Sequence, residues 1–176
     1  MIFTETKLPG AFVIDLEPHE DERGFFLLSW SKVAFADRSL NPELLETNIS
    51  FNRKEGTLRG MHFQIVPHAQ PKLVRCTAGG IYDVIIDLRP ESITFKQWMA
   101  IELSATNYRQ LYIPEGFAHG FQTLVDNTEV FYQMSAPFVP ESARGVRWND
   151  SSFRIDWPPA ERIVNARDRA YPDFIG

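Results

Sequence analysis

The 176-residue sequence predicts an all-β fold, an antiparallel jelly roll or a similar β-barrel with few short helices. Short runs rich in β-branched and aromatic residues recur along the chain, and turn residues separate them, as in β-sandwiches and barrels. One stretch, 31–38, has a helical pattern with Ser31 as its N-cap. The strand-like runs are 11–16, 25–30, 44–51, 57–63, 72–77, 81–87, 98–103, 110–113, 118–124 and 129–134.

Residues 72–87 contain two of these runs around a Gly-Gly pair at 79–80, which predicts a β-hairpin with a tight turn. In that register Lys72 shares an apolar face with Asp83 and Asp87. A lysine that points inward needs a counter-charge, because an unpaired buried ammonium is costly. The tail after residue 134 is richer in proline and charge, and predicts an irregular wrap with short strands.

Composition is that of a globular protein, with 44% hydrophobic and 23% charged residues. The net charge of −5, without a Lys/Arg block, argues against nucleic acid as a partner. Cys76 is the only cysteine, so an intrachain disulfide is impossible. Neither a signal peptide nor a membrane-length apolar run is evident. We therefore expect one cytoplasmic domain, residues 1–176, with no membrane partner.

Two of the four histidines lie on predicted strands. His62 alternates with apolar residues and shares a strand face with Gln64. It is either a general base, because imidazole titrates near neutral pH, or a core histidine satisfied by a neighbour. His119 follows a Pro-Glu-Gly turn and has the same two interpretations. His19 and His68 lie in polar stretches and are expected to be loop residues.

Three further residue types suggest chemistry. Lys72 could stabilise an enolate oxygen. Tyr132 alternates with apolar residues, so it faces the interior as a proton donor or as an ordinary buried tyrosine. Arginines could hold phosphates in bidentate fashion, although each one alone fits a surface ion pair equally well. They are Arg23, Arg59, Arg75, Arg144, Arg147 and Arg167.

A metal site is disfavoured by the residues available. The histidine at 62 is followed by Gln64 and then by Lys72, a cation where a carboxylate ligand would be useful. Only His119 would complete the set. The glycine spacing matches neither a phosphate-binding loop nor a dinucleotide fingerprint, and no nucleophile elbow is present.

Several motifs in a fixed order resemble the cupin-fold 3,5-epimerases of deoxysugar biosynthesis, the dTDP-4-dehydrorhamnose 3,5-epimerase family. The resemblance extends along nearly the whole chain. The matching segments are 21–26 (DERGFF), 57–64 (TLRGMHFQ), 72–76 (KLVRC), 82–84 with 87–89, 109–121 (RQLYIPEGFAHGF), 148–150 (WND) and 167–168.

The resemblance implies a cupin-type antiparallel jelly roll, a homodimer, a nucleotide-diphosphate sugar as substrate, and neither metal nor organic cofactor. It implies that His62 is the base, Asp168 its orienting carboxylate and Tyr132 the opposing acid. Near the sugar carbonyl it places Lys72 and His119. The remaining residues implied for the substrate site are Asp83 beside the lysine, Arg23 and Arg59 at the diphosphate, and Asn48, Glu46 and Arg167 towards the nucleotide.

Departures from the family pattern cluster around the nucleotide and diphosphate. They are His19, Leu28, Glu46, Ala143 and Arg167, where the family commonly has Phe, Glu, Gln, Glu and Lys. The catalytic set is intact, so the sequence predicts the reaction class more firmly than the nucleotide.

One geometric tension concerns Arg59 and His62, which have opposite strand parity. Both can reach the ligand if the strand is bulged near Gly60 or if the phosphates lie at the barrel mouth.

Three alternatives to a nucleotide 4-keto-sugar 3,5-epimerase stay open at the level of sequence. One is a mono-epimerase or a 3,4-ketoisomerase acting on a nucleotide sugar other than a dTDP sugar. A second is a metal-dependent cupin oxygenase. The third is a sugar-nucleotide binding module without catalysis.

Overall fold

Two β-sheets packed face to face form the body of the protein in a computed structural model, which describes residues 1–175. The prediction of an antiparallel jelly roll with few short helices is confirmed. The strands are β1 (Ile2–Glu5), β2 (Phe12–Asp15), β3 (His19–Asp21), β4 (Gly24–Phe26), β5 (Glu46–Asn52), β6 (Thr57–Gln64), β7 (Lys72–Ala78), β8 (Gly80–Asp87), β9 (Trp98–Ser104), β10 (Arg109–Ile113), β11 (Phe117–Thr123), β12 (Thr128–Met134), β13 (Ala143–Gly145) and β14 (Ile163–Val164). The helices are α1 (Lys32–Ala36), α2 (Ala166–Arg169) and a 3₁₀ turn at Pro140–Ser142.

Sheet I has the strand order β1-β2-β10-β7-β12-β5, and sheet II has the order β13-β6-β11-β8-β9. Strand β14 adds to β6 in parallel, while β3 and β4 form a separate two-stranded hairpin. The predicted helix is present, and the Ser31 side chain accepts a hydrogen bond from the Ala34 N–H as its N-cap. The tail does form an irregular wrap, with β13, β14 and α2 as its only regular elements in residues 143–175.

The main core lies between the two sheets, where side chains alternate inward along each strand. Val74 and Val130 from sheet I pack with Ile85 and Phe121 from sheet II in one buried cluster. Sheet II is also covered on its other face, where the tail packs Trp157 and other apolar residues against it. This double coverage explains why β11 is buried along its whole length.

The prediction of a hairpin at residues 79–80 is wrong. Strand β7 pairs with β10 and β12, whereas β8 pairs with β9 and β11, so the chain crosses from sheet I to sheet II at this point. Gly79 makes the crossing with a φ of 72°, and a Cβ there would lie 2.4 Å from Thr128 Oγ1. A glycine pair predicts a tight turn, but it does not determine which strand edges pair after the turn.

Candidate active site

A cavity of about 260 Å³ opens between the two sheets. Four of the polar residues singled out in the sequence project into it from different strands. His62 and His119 come from sheet II, and Lys72 and Tyr132 come from sheet I. The other lining residues are Asn48, Arg59, Phe63, Gln64, Gln70, Gly120, Phe121, Met134, Phe138, Ala143, Arg144 and Arg167.

A bulge in β6 brings Arg59 and His62 to the same cavity. On β11, Phe121 pairs with Arg59 and His119 pairs with His62, so β6 holds one more residue than β11 over this stretch. Gly60 lies in the bulge with a φ of 138°, and a Cβ there would be 2.6 Å from the Gly120 Cα. The bulge is therefore the reason that two residues of opposite parity share one site, and it requires glycine.

His62 is held by Asp168, a buried carboxylate that α2 brings from the tail. His62 Nε2 lies 2.8 Å from Asp168 Oδ1, and Asp168 Oδ2 accepts the Gly60 N–H at 3.1 Å. Asn165 caps α2 by accepting the Asp168 N–H at 2.7 Å. A carboxylate partner favours the proton on Nε2, which leaves the Nδ1 lone pair available as a base. Within residues 1–175, Nδ1 makes no hydrogen bond.

Opposing effects set the proton affinity of this pair. Burial lowers the pKa of His62, the Asp168 carboxylate acts to raise it, and Lys72 and Arg167 lower it further, with a net decrease. Burial is the largest single effect on the pKa of Asp168 and raises it, but the hydrogen bonds from His62 and Gly60 and the charges of His62 and Arg167 together keep the pKa below its usual value. His62 is therefore neutral near pH 7, as a general base must be.

A second histidine–aspartate pair lies beside the first. His119 Nε2 is 2.7 Å from Asp83 Oδ1, and neither side chain is more than 6% exposed. Asp83 also faces Lys72, whose Nζ lies 3.5 Å from the His62 carbonyl oxygen. Burial lowers the pKa of Lys72 to about 8, and the Asp83 charge opposes that decrease. Lys72 lines the cavity, so it points inward as predicted. The Asp83 charge acts on it across the two sheets and not through the predicted hairpin register.

Tyr132 is the mostly buried phenol on the sheet I side of the cavity. Burial raises its pKa, while the nearby Ser50 hydroxyl and Arg59 guanidinium act to lower it. The Ser50 hydroxyl is buried near the phenol and forms no hydrogen bond of standard geometry among residues 1–175. Asn52 accepts from Arg59 Nε at 2.7 Å and holds the guanidinium beside Tyr132. The phenol is protonated at neutral pH and can donate.

Several predicted site residues lie elsewhere in this chain. Arg23 is 82% exposed on the β3–β4 hairpin, paired with Asp21, and does not line the cavity. Asp83 lies behind His119 rather than at the cavity surface. Asp87 does not serve Lys72, because Arg89 and neighbouring hydroxyls bind it.

Glu46 lies at the cavity edge rather than in its lining, and its Oε1 accepts the Phe138 N–H at 3.2 Å. Asn48 and Arg167 do line the cavity, as the resemblance implied, and Arg167 Nη2 lies 3.3 Å from His62 Nε2.

Sequence reasoning missed the rim of the cavity. Gln70 and Phe138 line it from two loops, residues 65–71 and 135–142, that are far apart in the chain. Neither loop has a strand or helix pattern at Gln70 or Phe138, so the sequence carried no local signal for these two residues. Among residues 1–175, no group of three or more His, Cys, Asp or Glu side chains could hold a metal ion. No helix in the same range is long and apolar enough to span a bilayer.

The comparisons with known proteins identify the family. A family model described as dTDP-4-dehydrorhamnose 3,5-epimerase matches residues 5–175. The chain belongs to the dTDP-4-dehydrorhamnose 3,5-epimerase family. The resemblance found in the sequence motifs is thereby confirmed.

Members of the family match at both the sequence and the structural level. The dTDP-4-dehydrorhamnose 3,5-epimerase of Shigella flexneri is 40% identical over 172 residues, which is 97% of this chain and 94% of the relative. The Bacillus anthracis epimerase, solved with TDP and PPi bound, is 41% identical with a TM-score of 0.94, covering 98% and 99% of the two chains.

A third relative was solved with a sugar nucleotide. The Legionella pneumophila dTDP-6-deoxy-D-glucose-3,5-epimerase, in complex with dTDP-4-keto-L-rhamnose, is 34% identical with a TM-score of 0.90. The alignment covers 97% of this chain and 90% of the Legionella chain. The shared fold therefore extends across the cavity and both sheets.

Proposed function

We propose that this protein is an epimerase that inverts carbons 3 and 5 of a dTDP-linked 4-keto-6-deoxy sugar. The observation that carries the proposal is the placement of a base and an acid in one cavity on opposite sheets. His62, oriented by Asp168, projects from sheet II, and Tyr132 projects from sheet I. Inversion needs this arrangement, because the proton must leave one face of the ring and return to the other.

In the first step the His62 Nδ1 lone pair removes the proton from a ring carbon next to the C4 ketone. The electron pair of the broken C–H bond moves to the carbonyl oxygen and forms an enolate. Asp168 stabilises the imidazolium that results. The Lys72 ammonium and the His119 side chain, held by Asp83, stabilise the negative oxygen.

In the second step Tyr132 gives its phenolic proton to the same carbon from the opposite face. The enolate collapses to the ketone, and the carbon is inverted. His62 then loses its proton to solvent and Tyr132 regains one, so no net proton is consumed. The same cycle at the other carbon next to the ketone completes a 3,5-epimerisation, and it needs no redox partner.

The basic residues around this cavity support a diphosphate-linked substrate. Arg59, Arg144 and Arg167 line it, and guanidinium groups are suited to phosphate oxygens. Asn48 and the half-exposed ring of Phe138 lie at the same cavity and offer an amide and an aromatic face to a nucleobase. A thymidine nucleotide is the first choice because the relatives described above are named for dTDP sugars.

A homodimer is part of the proposal. Two exposed apolar groups support it, Phe25 with Phe26 on the β3–β4 hairpin and Ile49 with Phe51 on the edge strand β5. In a dimer, Arg23 could bind the diphosphate at the partner's cavity, since it lies outside the cavity of its own chain. The single domain and the cytoplasmic location stay predictions, and the match of one family model to residues 5–175 supports the former.

The test is incubation of the protein with dTDP-4-keto-6-deoxyglucose in heavy water, with NMR of the product. We expect deuterium at C3 and C5 together with inversion at both carbons. Exchange at only one carbon would indicate a mono-epimerase, and a moved carbonyl would indicate a ketoisomerase. If none of the dTDP-, GDP-, CDP- and UDP-linked 4-keto sugars exchanges, the proposed function is wrong.

Replacement of the acid separates the two steps. Tyr132→Phe keeps the ring and the packing but removes the donated proton, so inversion should fall by about 10²-fold or more. Exchange at the first carbon depends on His62 and should fall much less. The measurement is the ratio of deuterium in recovered substrate to epimerised product. If Tyr132→Phe loses exchange at the first carbon as much as it loses inversion, the assignment of Tyr132 as the acid is wrong.

A further inference from the structure

The rim segment, residues 135–142, forms one wall of the cavity without belonging to either sheet. It contains Pro137 and Pro140, which lack an N–H donor, so it cannot pair as an ordinary strand. Its remaining backbone polar groups still need partners where water is excluded. Backbone bonds to the facing loop satisfy the two ends of the segment, where the Ser135 N–H donates to the Pro71 carbonyl and the Ile65 N–H donates to the Ser142 carbonyl. Side chains from elsewhere in the cavity wall bond the middle of the segment.

Gln64 makes two of these side-chain bonds, more than any other residue. Its Nε2 donates to the Pro137 carbonyl at 3.1 Å, and its Oε1 accepts the Val139 N–H at 2.7 Å. The same Nε2 donates to the His68 carbonyl at 2.7 Å, which lies in the facing loop, residues 65–71. One amide, 6% exposed, therefore joins two loops at three points.

Other side chains reinforce the junction. Gln70 Nε2 donates to the Ala136 carbonyl at 2.6 Å, and His68 Nδ1 lies 2.8 Å from Ser142 Oγ. Glu46 accepts the Phe138 N–H from the sheet I side. Each of these makes one bond between the rim segment and the rest of the wall, whereas Gln64 makes two and also holds the facing loop.

We propose that Gln64 is a positioning residue that fixes the two loops carrying Gln70 and Phe138 at the nucleotide end of the cavity. This inference rests on the proposed function, because it assigns those loops to the recognition of a nucleoside diphosphate. Gln64 shares the inward face of β6 with His62, two residues away, so the strand that carries the base also anchors the binding wall.

It follows that the strands carry the reacting groups and the two loops carry the binding wall. The reacting groups His62, Lys72 and Tyr132 lie on strands and do not depend on the Gln64 bonds. The walls around Gln70 and Phe138 do depend on them. If the amide is lost, backbone bonds still join the ends of the two loops, but the ligand must order the part between them. Binding then weakens by the cost of that ordering. The effect should therefore appear in nucleotide affinity and KM more than in kcat.

The test compares Gln64→Met with a matched control, Gln122→Met. Gln122 is also a buried glutamine, on β11 and outside the cavity lining. Its Nε2 donates to the Pro158 carbonyl at 3.0 Å, and its Oε1 accepts from Arg162 Nε at 3.2 Å. Both variants lose buried amide bonds, but only the first loses bonds at the rim. Calorimetry gives the Kd for dTDP, and steady-state kinetics gives KM and kcat for the sugar nucleotide.

We expect Gln64→Met to raise the dTDP Kd and the KM by roughly tenfold or more, with kcat changed by less than about threefold. Gln122→Met should leave all three near wild type. Ser142→Ala loses only the bond to His68 between the two loops, and Ser142 does not line the cavity, so this second rim variant should show a smaller rise in Kd. It tests the inference if Gln64→Met does not fold.

Equal dTDP affinity in wild type and both rim variants would overturn the inference, as would an equal loss in Gln122→Met. Because dTDP binding needs no turnover, this result is separate from the outcome of the heavy-water experiment. If the wild-type protein binds dTDP but epimerises no sugar, the proposed function is wrong. The binding test of Gln64 can still be carried out in that case.

Discussion

Two histidine–aspartate pairs lie side by side at the cavity, and they are built differently. His62 and His119 are register partners on β6 and β11, and each ring bonds a carboxylate that is fully buried. His62 is 30% exposed and its Asp168 comes from α2, 106 residues along the chain. His119 is 6% exposed and its Asp83 comes from the neighbouring strand β8.

The difference shows that the same chemical pair can serve two purposes. The exposed ring faces the cavity with one nitrogen unbonded, so it can accept a proton from a substrate. The buried ring is enclosed in the sheet with its carboxylate beside the Lys72 ammonium, so it contributes to a fixed electrostatic environment. Access, rather than residue type, separates the base from the stabilising group.

The largest expected effect is that of His62→Ala. Removing the base should lower kcat by at least about 10⁴-fold and abolish deuterium exchange at both carbons. His119→Ala, the matched change in the other pair, should leave exchange measurable. Equal losses of kcat and of deuterium exchange in the two variants would contradict the assignment of His62 alone as the base.

The next effect is that of Asp168→Asn, which should lower kcat by on the order of 10³–10⁴. The Gly60 N–H would still donate to the oxygen of the new amide, which turns the amide NH₂ towards His62 Nε2. Since the NH₂ can only donate, it favours the tautomer with the proton on Nδ1. The base would then have no lone pair towards the substrate. Rate measurements together with NMR of the imidazole nitrogens would check this, and an unchanged tautomer with a normal rate would contradict it.

Asp83→Asn should have a smaller effect, about 10- to 100-fold in kcat, the range for losing a hydrogen bond to a charged group. It also removes the charge that supports the Lys72 ammonium, so the pKa of Lys72 should fall further below about 8. The basic limb of the pH–rate profile should move to lower pH in this variant and stay in place in Asp168→Asn. A shift in both would mean that the pairs are not separate.

The smallest effect is on the wild-type pH profile. His62 must be neutral, so activity should rise through a pKa that burial holds below the usual histidine value. Lys72 must be charged, so activity should fall as pH rises through about 8. Lys72→Arg keeps its positive charge throughout the pH range of the assay. The basic limb should therefore move to higher pH in the activity that this variant retains. An unmoved limb would assign it to another group.

Much of the fold and the reacting groups were predictable, for identifiable reasons. Alternation along β6 and β12 placed His62 and Tyr132 inward, because strand side chains have a period of two. The need of a buried ammonium for a counter-charge predicted a carboxylate near Lys72, although the hairpin register that named Asp83 and Asp87 was wrong. The pairing of β7 and β8 was not predictable, because glycines at a turn do not show whether the chain returns along its neighbour or crosses to another sheet.

By itself, the sequence determined most of the strand positions in the two sheets, the inward faces, the reaction class and the conflict of parity between Arg59 and His62. It missed the strands at residues 2–5 and 19–21, and it extended the strand at 24–26 to residue 30. The tertiary structure decided how that conflict is resolved, through a bulge at Gly60, and which of the two cavity histidines is the more exposed. It also decided that Gln64 joins two loops. These outcomes depend on contacts between residues distant in the chain, such as Gln64 with Pro137 and His62 with Asp168, and local periodicity does not contain that information.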